Sequence, residues 1–500
     1  MNKKILRSLL SVSGIVLIAK VLGLVKQVVT ANAFGATVDT DIIFMAEGLI
    51  INMDFLLIQA LSTAFIPTYI SAGKSDSEKS RFVSNTIKVL FLITLLVSIT
   101  IVCASPLLSK LLAPSYSDEL SKKLSLYLRI FAPVLILVVE MAVFNSLLKS
   151  NEKFIPGELT SFNQSVILIV LILAIGNKLG PDTLVVGFYL YALFNLIFLM
   201  IASKGLWRIE KGNPFKDPNV KALLVMMGPL ILGYSMVFVN QQVDKIIVSG
   251  LGEGTITAMN YAAVLSNFIT TFISSICGVL FTYITQRIAS EDEKGAADLT
   301  LDSIWHLSTL FLPISIIAMM NSHDIVAVVF GRGKFDATAV DKCSLALIGY
   351  AAMFIPFIVR EMLSRFQYAY GDSKKPMINS AISIAVNIAL SIVLSKFIGV
   401  LGVTVATSIS VAVCAILNYF SSKSKNAHLK PMFNIKSTVK LVIGALVCVL
   451  ASIIGKTLLS SMNSLVRFLI VSIVSLGCYF IINKDEIVPI LKQFFKERAS

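Results

Sequence analysis

About fourteen runs of some twenty predominantly apolar residues recur along this chain, and no other feature restricts its fold so strongly. A helix needs about 20 such residues to cross the hydrocarbon core of a bilayer. The runs lie near 9–33, 42–72, 84–109, 124–149, 155–177, 183–204, 219–249, 256–287, 302–330, 340–370, 376–397, 401–421, 436–456 and 465–483. Several exceed the minimum, which leaves room for tilt. Lipid offers no hydrogen bonds, so each crossing must satisfy its own backbone, and helices do so within one segment. The expected fold is an all-α polytopic membrane protein. Composition agrees: 56% of residues are hydrophobic and 14% charged, against roughly 25% charged in soluble domains. Lys3, Lys4 and Arg7 precede an apolar stretch too long for a cleaved signal, so it reads as the first span.

The net charge of +14 would point to nucleic acid in a soluble protein. Here the basic residues gather in alternate loops. Lys74, Lys79 and Arg81 follow the second span; Lys204, Arg208, Lys211, Lys216 and Lys221 follow the sixth. Lys423, Lys425, Lys430, Lys436 and Lys440 follow the twelfth, and Lys492, Lys496 and Arg498 end the chain. This bias predicts both termini in the cytoplasm, with short loops throughout, and the Lys-rich style suits a bacterial inner membrane. Six scattered cysteines and three isolated histidines give no metal-binding or disulfide pattern.

The chain also repeats itself. VVTANAFGATVDTDIIFMAE (28–47) matches KIIVSGLGEGTITAMNYAAV (245–264) in its run of apolar, small, Gly-rich and again apolar residues. FIPTYIS (65–71) answers LFTYITQ (280–286). A third pair, 153–180 and 374–402, opens each helix with a basic turn and proline (Pro156, Pro376) and closes it at Leu-Gly (180, 402). The predicted organisation is a six-helix unit at 1–212, a second in the same orientation at 213–425, and two extra helices at 426–500. Parallel repeats of this kind are common in transporters that work by alternating access.

Ionisable and amide groups inside spans are costly in hydrocarbon and tend to mark passages or pairings. Lys20, Lys26, Gln27, Asn52 and Gln241 are candidate substrate-binding residues on this ground. Asp41, Glu47, Asp54 and Asp244 are candidate gating or coupling residues. Lys20 and Lys26 lie roughly 120° apart around a helix, so they need not share a face. Either binds an anionic headgroup, pairs with Glu47 or Asp54, or reaches for an interface. Asp244 and Lys245 read equally as a surface pair or a coupling site. Arg360, Glu361 and Arg365 read as a structural ion-pair cluster. Asp39 and Asp41 in a short loop give only a faint hint of a metal-dependent glycosyltransferase. No nucleotide-binding loop, nucleophile elbow or metalloprotease motif is present, so no enzyme is expected.

Five segments, taken in order, resemble the MurJ/MviN lipid II flippase family of the MOP exporter superfamily. They are KVLGLVKQVVTANAFGATVDTDIIFMAE (20–47), QALSTAFIP (59–67), GLGEGTITAMNYAAVLSNF (250–268), VVFGRGKFDATAV (328–340) and FQYAYGDSKKPMINSAISIAVNIALS (366–391). The resemblance implies a V-shaped pair of six-helix lobes around a cationic cavity, with two C-terminal helices beside a groove for a lipid tail. It places arginines where Lys20 and Lys26 stand, an acid at Gln27 and an aspartate at Asp41. It also implies arginines at Asp54 and Val264. A lysine keeps the charge and gives up bidentate phosphate contact.

The implied function is transport of an undecaprenyl-pyrophosphate-linked sugar, lipid II first, from the inner to the outer leaflet. The alternatives are another lipid-linked oligosaccharide, such as a capsule, O-antigen or teichuronic unit, or a cation-coupled export of drugs. A non-transporting scaffold for envelope synthesis is the remaining reading. No cofactor is expected; the cycle would draw on the membrane potential or a coupling ion, sodium or proton. Expected partners are the lipid-linked substrate, membrane lipid and envelope-synthesis proteins, with no nucleic acid.

Overall fold

The computed structural model describes residues 3–73, 75–429 and 435–489, and the side chains at 3–15, 17, 51, 52, 54, 55, 435 and 436 lie outside the described set. Among the described residues, sixteen α-helices follow one another without a strand. The chain divides into two compact units. Unit 1 comprises 1–257 with 332–335, and unit 2 comprises 258–331 with 336–500.

Unit 1 holds α1 (Lys3–Phe34), α2 (Val38–Ser71), α3 (Asp76–Leu112), α4 (Asp118–Phe131), α5 (Val134–Ser150), α6 (Ile155–Leu179), α7 (Asp182–Ala202) and α8 (Pro218–Ser249). Gly35, at φ +69°, ends α1. Thr37 then opens α2 through a capping box with Thr40, and Ser75 opens α3 through one with Glu78. By packing, the chain divides after Thr257, in the first turn of α9, with α8 lying along α2 and against α3; this division by packing is distinct from the repeat boundary at 212 read from the sequence. Unit 2 holds most of α9 (Thr255–Ala289), then α10 (Glu293–Met320), α11 (Ser322–Val329), α12 (Ala337–Ala351), α13 (Phe354–Ala369), α14 (Lys374–Lys423), α15 (Ile435–Leu458) and α16 (Ser464–Ile482). Its core gathers Phe311, Phe354, Ile358, Met362 and Phe366. Tyr479 of α16 joins Ile316, Ile317 and Cys448 in a second cluster, and its hydroxyl donates to the Thr309 carbonyl at 2.9 Å.

Ten described helical stretches are long and apolar enough to cross a membrane, with α4 and α5 taken as one; the bent pair α12–α13 makes an eleventh. The 50-residue α14 is broken at Ile398 and Gly399 and so supplies two crossings. With α1 and α2, of 32 and 34 residues, all fourteen apolar runs are accommodated.

Three of those runs are not the continuous helices the sequence predicts. The fourth breaks at Ala132–Pro133, because proline brings no N–H to the helix ladder. The ninth breaks at Asn321, and the tenth bends by 41° after Ala351. The breaks in the fourth and tenth runs are treated alike. Ser98 Oγ of α3 donates to the Ala132 carbonyl at 2.8 Å, and Ser315 Oγ of α10 donates to the Ala351 carbonyl at 2.7 Å. Each serine adds a side-chain donor to a carbonyl at the break, where the regular ladder is interrupted; at Ala132 the Leu135 N–H donates as well, at 3.2 Å.

The third repeat pair also needs a correction. α6 ends at Gly180 (φ +59°, ψ −146°), and its partner turn is at Gly399 (φ +58°, ψ −136°), not at Gly402. Only glycine reaches this backbone region without strain. Gly402 sits inside the second half of α14. Past these turns, Asn163 Nδ2 donates to Asn195 at 2.9 Å in unit 1, and Asn379 Nδ2 donates to Asn418 at 2.8 Å in unit 2.

Candidate functional site in unit 1

Three helices of unit 1 bring charge together inside the apolar region. α1 carries Lys26, α2 carries Glu47 and α8 carries Lys245, and all three side chains are half-buried. The Glu47 carboxylate is in charge interaction with both ammonium groups. Its Oε2 is buried with no hydrogen-bond partner. Lys245 Nζ donates to the Phe44 carbonyl at 3.0 Å, and Gln242 Nε2 donates to the Gly48 carbonyl at 3.3 Å. Gly48 makes this approach possible: a β-carbon there would overlap Lys245 Nζ. One carboxylate thus faces two lysine side chains, a cluster of formal charge +1. Such a cluster in a low-dielectric region attracts an anion strongly.

A second knot ties the loops at the end of these helices. Asp41 is buried, and its Oδ1 accepts from the Thr257 backbone N–H at 2.7 Å and the Thr257 hydroxyl at 2.6 Å. Val38 N–H donates to Glu253 Oε1 at 3.3 Å, and Lys334 N–H donates to the Asn32 carbonyl at 3.0 Å. Gly254 (φ +73°) comes so close to the Ala36 carbonyl that a β-carbon would collide with it. Lys123 Nζ of α4 pairs with Asp39 Oδ1 at 2.6 Å.

The sequence-derived candidates fall into distinct places. Lys26 and Glu47 come together; Asp41 lies in the loop knot; Lys20 is exposed and Gln27 half-buried. The side chains of Asn52 and Asp54 lie outside the described residues. On α8, Gln241 is exposed and its neighbour Gln242 faces α2. Asp244 is buried, so the surface-pair reading of Asp244 and Lys245 does not hold. From sequence Lys245 was read only with Asp244, as a surface pair or a coupling site, and neither Gln242 nor Gly48 was among the binding candidates. The available signal was a lysine inside an apolar run, as at Lys26.

In unit 2, Arg360 and Arg365 of α13 share Glu361, at 2.8 and 3.3 Å. Arg365 also donates to the Ser274 carbonyl of α9 at 3.2 Å, and Arg360 lies 4.7 Å from the Phe357 ring centroid. This is the ion-pair cluster the sequence predicts. Unit 2 also contains an apolar cavity of about 770 Å³ between α10, α13, the second half of α14 and α15, with Trp305, Val359, Tyr419 and Leu441 in its wall.

A family model described as "Lipid II flippase MurJ" matches residues 30–476. This chain belongs to the MurJ family. Among curated relatives, a MurJ family protein of Vibrio cholerae, called "Probable lipid II flippase MurJ", is 27% identical over 87% of this chain and 85% of its own length. The fold is similar to a solved lipid II flippase MurJ in an inward closed conformation (TM-score 0.82, 22% identity), covering 96% of this chain and all of that one. It is also similar to an inward-facing multidrug resistance MATE transporter of the MOP superfamily. There the TM-score is 0.65 and the identity 14%, over 83% of this chain and 96% of that one. The chain is therefore a multi-pass helical membrane protein of the MurJ family.

Proposed function

We propose that this protein flips lipid II, an undecaprenyl-pyrophosphate-linked sugar, from the inner to the outer leaflet of the bacterial cytoplasmic membrane, with both termini in the cytoplasm. The observation that carries the reading is the Lys26–Glu47–Lys245 cluster, set in a chain of this family. A pyrophosphate brings at least two negative charges into a low-dielectric region and needs cations there. Lys26 and Lys245 supply them. Glu47 holds the two ammonium groups when no substrate is present and is displaced as their partner when the pyrophosphate arrives. The exchange keeps the lysines partnered in both states, so neither state leaves two buried cations uncompensated. Because the cluster is charged within the membrane, it is also where the membrane potential or a coupling ion acts. The apolar cavity of unit 2 has the dimensions and lining for part of the isoprenoid tail.

The test is rescue of a host depleted of its own lipid II flippase. Wild type should restore growth, and Lys26→Ala, expressed and inserted normally, should not. Absence of rescue by correctly inserted wild type would refute lipid II as the substrate.

A further inference from the structure

A second basic site lies in unit 1, away from the cluster just described. It is a pocket of about 340 Å³ between the end of α3 and the first turns of α4. The Lys/Arg distribution assigns this end to the outer face. Lys110, Lys122 and Arg129 converge on it, accompanied by a single carboxylate, Asp118. Lys110, Lys122 and Arg129 have no carboxylate partner among the described residues, whereas the neighbouring Lys123 is paired with Asp39.

The wall is polar by construction. Ser109, Ser121 and Ser125 line it and are buried, and Ser105 is buried one turn before Ser109 on α3. Arg129 Nε donates to Ser105 Oγ at 2.7 Å, and Ser125 Oγ donates to the same oxygen at 3.0 Å. Ser105 thereby fixes the guanidinium at one nitrogen and leaves its other N–H groups free for a further acceptor. Ser105 lies seven residues before the end of α3, about 10 Å along the axis.

The surroundings of the pocket are apolar and exposed. Leu107, Leu111 and Leu126 show 62%, 58% and 54% of their surface. In a membrane-spanning unit, exposed leucines of this kind face lipid. An arginine at that depth on a lipid-facing flank is costly without an anionic partner. A phosphate supplies one, and guanidinium binds phosphate through two parallel N–H donors. Basic pockets between membrane helices recognise lipid headgroups on the same principle.

We propose that this pocket binds the phosphate of an anionic glycerophospholipid in the outer leaflet, whose acyl chains lie over Leu107, Leu111 and Leu126. The site is independent of the flippase reading, because none of its residues belongs to the Lys26–Glu47–Lys245 cluster.

The test uses full-length protein in nanodiscs of phosphatidylcholine with increasing phosphatidylglycerol, with lipid retained on release counted by native mass spectrometry. Wild type should retain phosphatidylglycerol in preference to phosphatidylcholine. Arg129→Gln should weaken that retention roughly tenfold or more, and Arg129→Lys should keep only part of it, because it retains the charge and loses the bidentate contact. The exposed pair Lys110→Gln/Lys122→Gln should weaken it as well, and this variant carries the test if Arg129→Gln fails to fold by size exclusion. Equal retention of the two lipids by wild type would overturn the proposal, as would retention unchanged in folded variants. Protection by inorganic phosphate alone, without lipid preference, would show a free-anion site instead. Tighter, Arg129-dependent binding of undecaprenyl pyrophosphate than of phosphatidylglycerol would assign the pocket to the transported lipid. Either result refutes a resident phospholipid.

Discussion

Each unit contains two cations that share one glutamate, and the two clusters are built in opposite ways. In unit 2, Arg360, Glu361 and Arg365 sit on one helix at positions i, i+1 and i+5, and α9 adds only Ser274. In unit 1, Lys26, Glu47 and Lys245 come from α1, α2 and α8. A cluster confined to one helix keeps its geometry wherever that helix moves. A cluster spread over three helices holds only while those helices stay in place, and it can exchange its carboxylate for another anion. The residue chemistry follows the same division. The guanidinium groups of unit 2 make direct ion pairs, which suits a fixed framework. The ammonium groups of unit 1 are point charges on flexible stems, one anchored only by the Phe44 carbonyl.

The comparison breaks most readily under charge removal. Lys245→Ala is expected to abolish rescue of a flippase-depleted host, as Lys26→Ala is. Arg360→Ala should rescue and show its effect as a lower melting temperature in detergent. Loss of rescue by well-expressed Arg360→Ala would end the distinction between a working and a structural cluster. Next in size is Glu361→Ala, which strips two guanidinium groups of their shared partner. It should destabilise by about 3 kcal/mol, read from chemical or thermal unfolding of purified protein. By contrast, Glu47→Gln should bind lipid II several-fold more tightly and turn it over more slowly, because both lysines are left to the pyrophosphate. Equal stability losses for the two glutamate variants, with unchanged lipid affinity in Glu47→Gln, would make the clusters equivalent.

Smaller effects sharpen the picture. Gly48→Ala places a methyl group where Lys245 Nζ now sits. The lysine must move, at a cost of about 1–3 kcal/mol, and rescue should be partial. Insensitivity of both stability and rescue would show that Lys245 needs no fixed position. The smallest expected change is shared by the units. Ser98→Ala and Ser315→Ala each remove a side-chain donor from a helix-break carbonyl, and each should cost about 1 kcal/mol. Unequal losses in melting temperature would show that the two breaks, alike in geometry, differ in energetic weight.

Much of the architecture was legible because it rests on local properties. Apolar run length predicted the crossings, and the match between 153–180 and 374–402 pointed to paired turns. Its detail went astray at Leu-Gly 402, since sequence cannot show which of two nearby glycines takes the left-handed backbone; the turn is at Gly399. The break at Pro133 had a visible signal, whereas that after Ala351 depends on Ser315 from another helix. In the site, Lys26 and Glu47 stood out as charges inside apolar runs. Gln241 was chosen over Gln242, because which of two adjacent glutamines faces α2 depends on the rotation of α8 about its axis.

The sequence by itself determined that the chain is a helical membrane protein of paired repeats, because hydrocarbon thickness and backbone hydrogen bonding act on each run separately. It also determined the unit 2 cluster, whose members lie within six residues of one another. Only the tertiary structure decided that Lys245, some two hundred residues away in the chain, shares Glu47 with Lys26. That charge interaction depends on how α8 packs against α2 at a glycine, and packing between distant helices has no local signature.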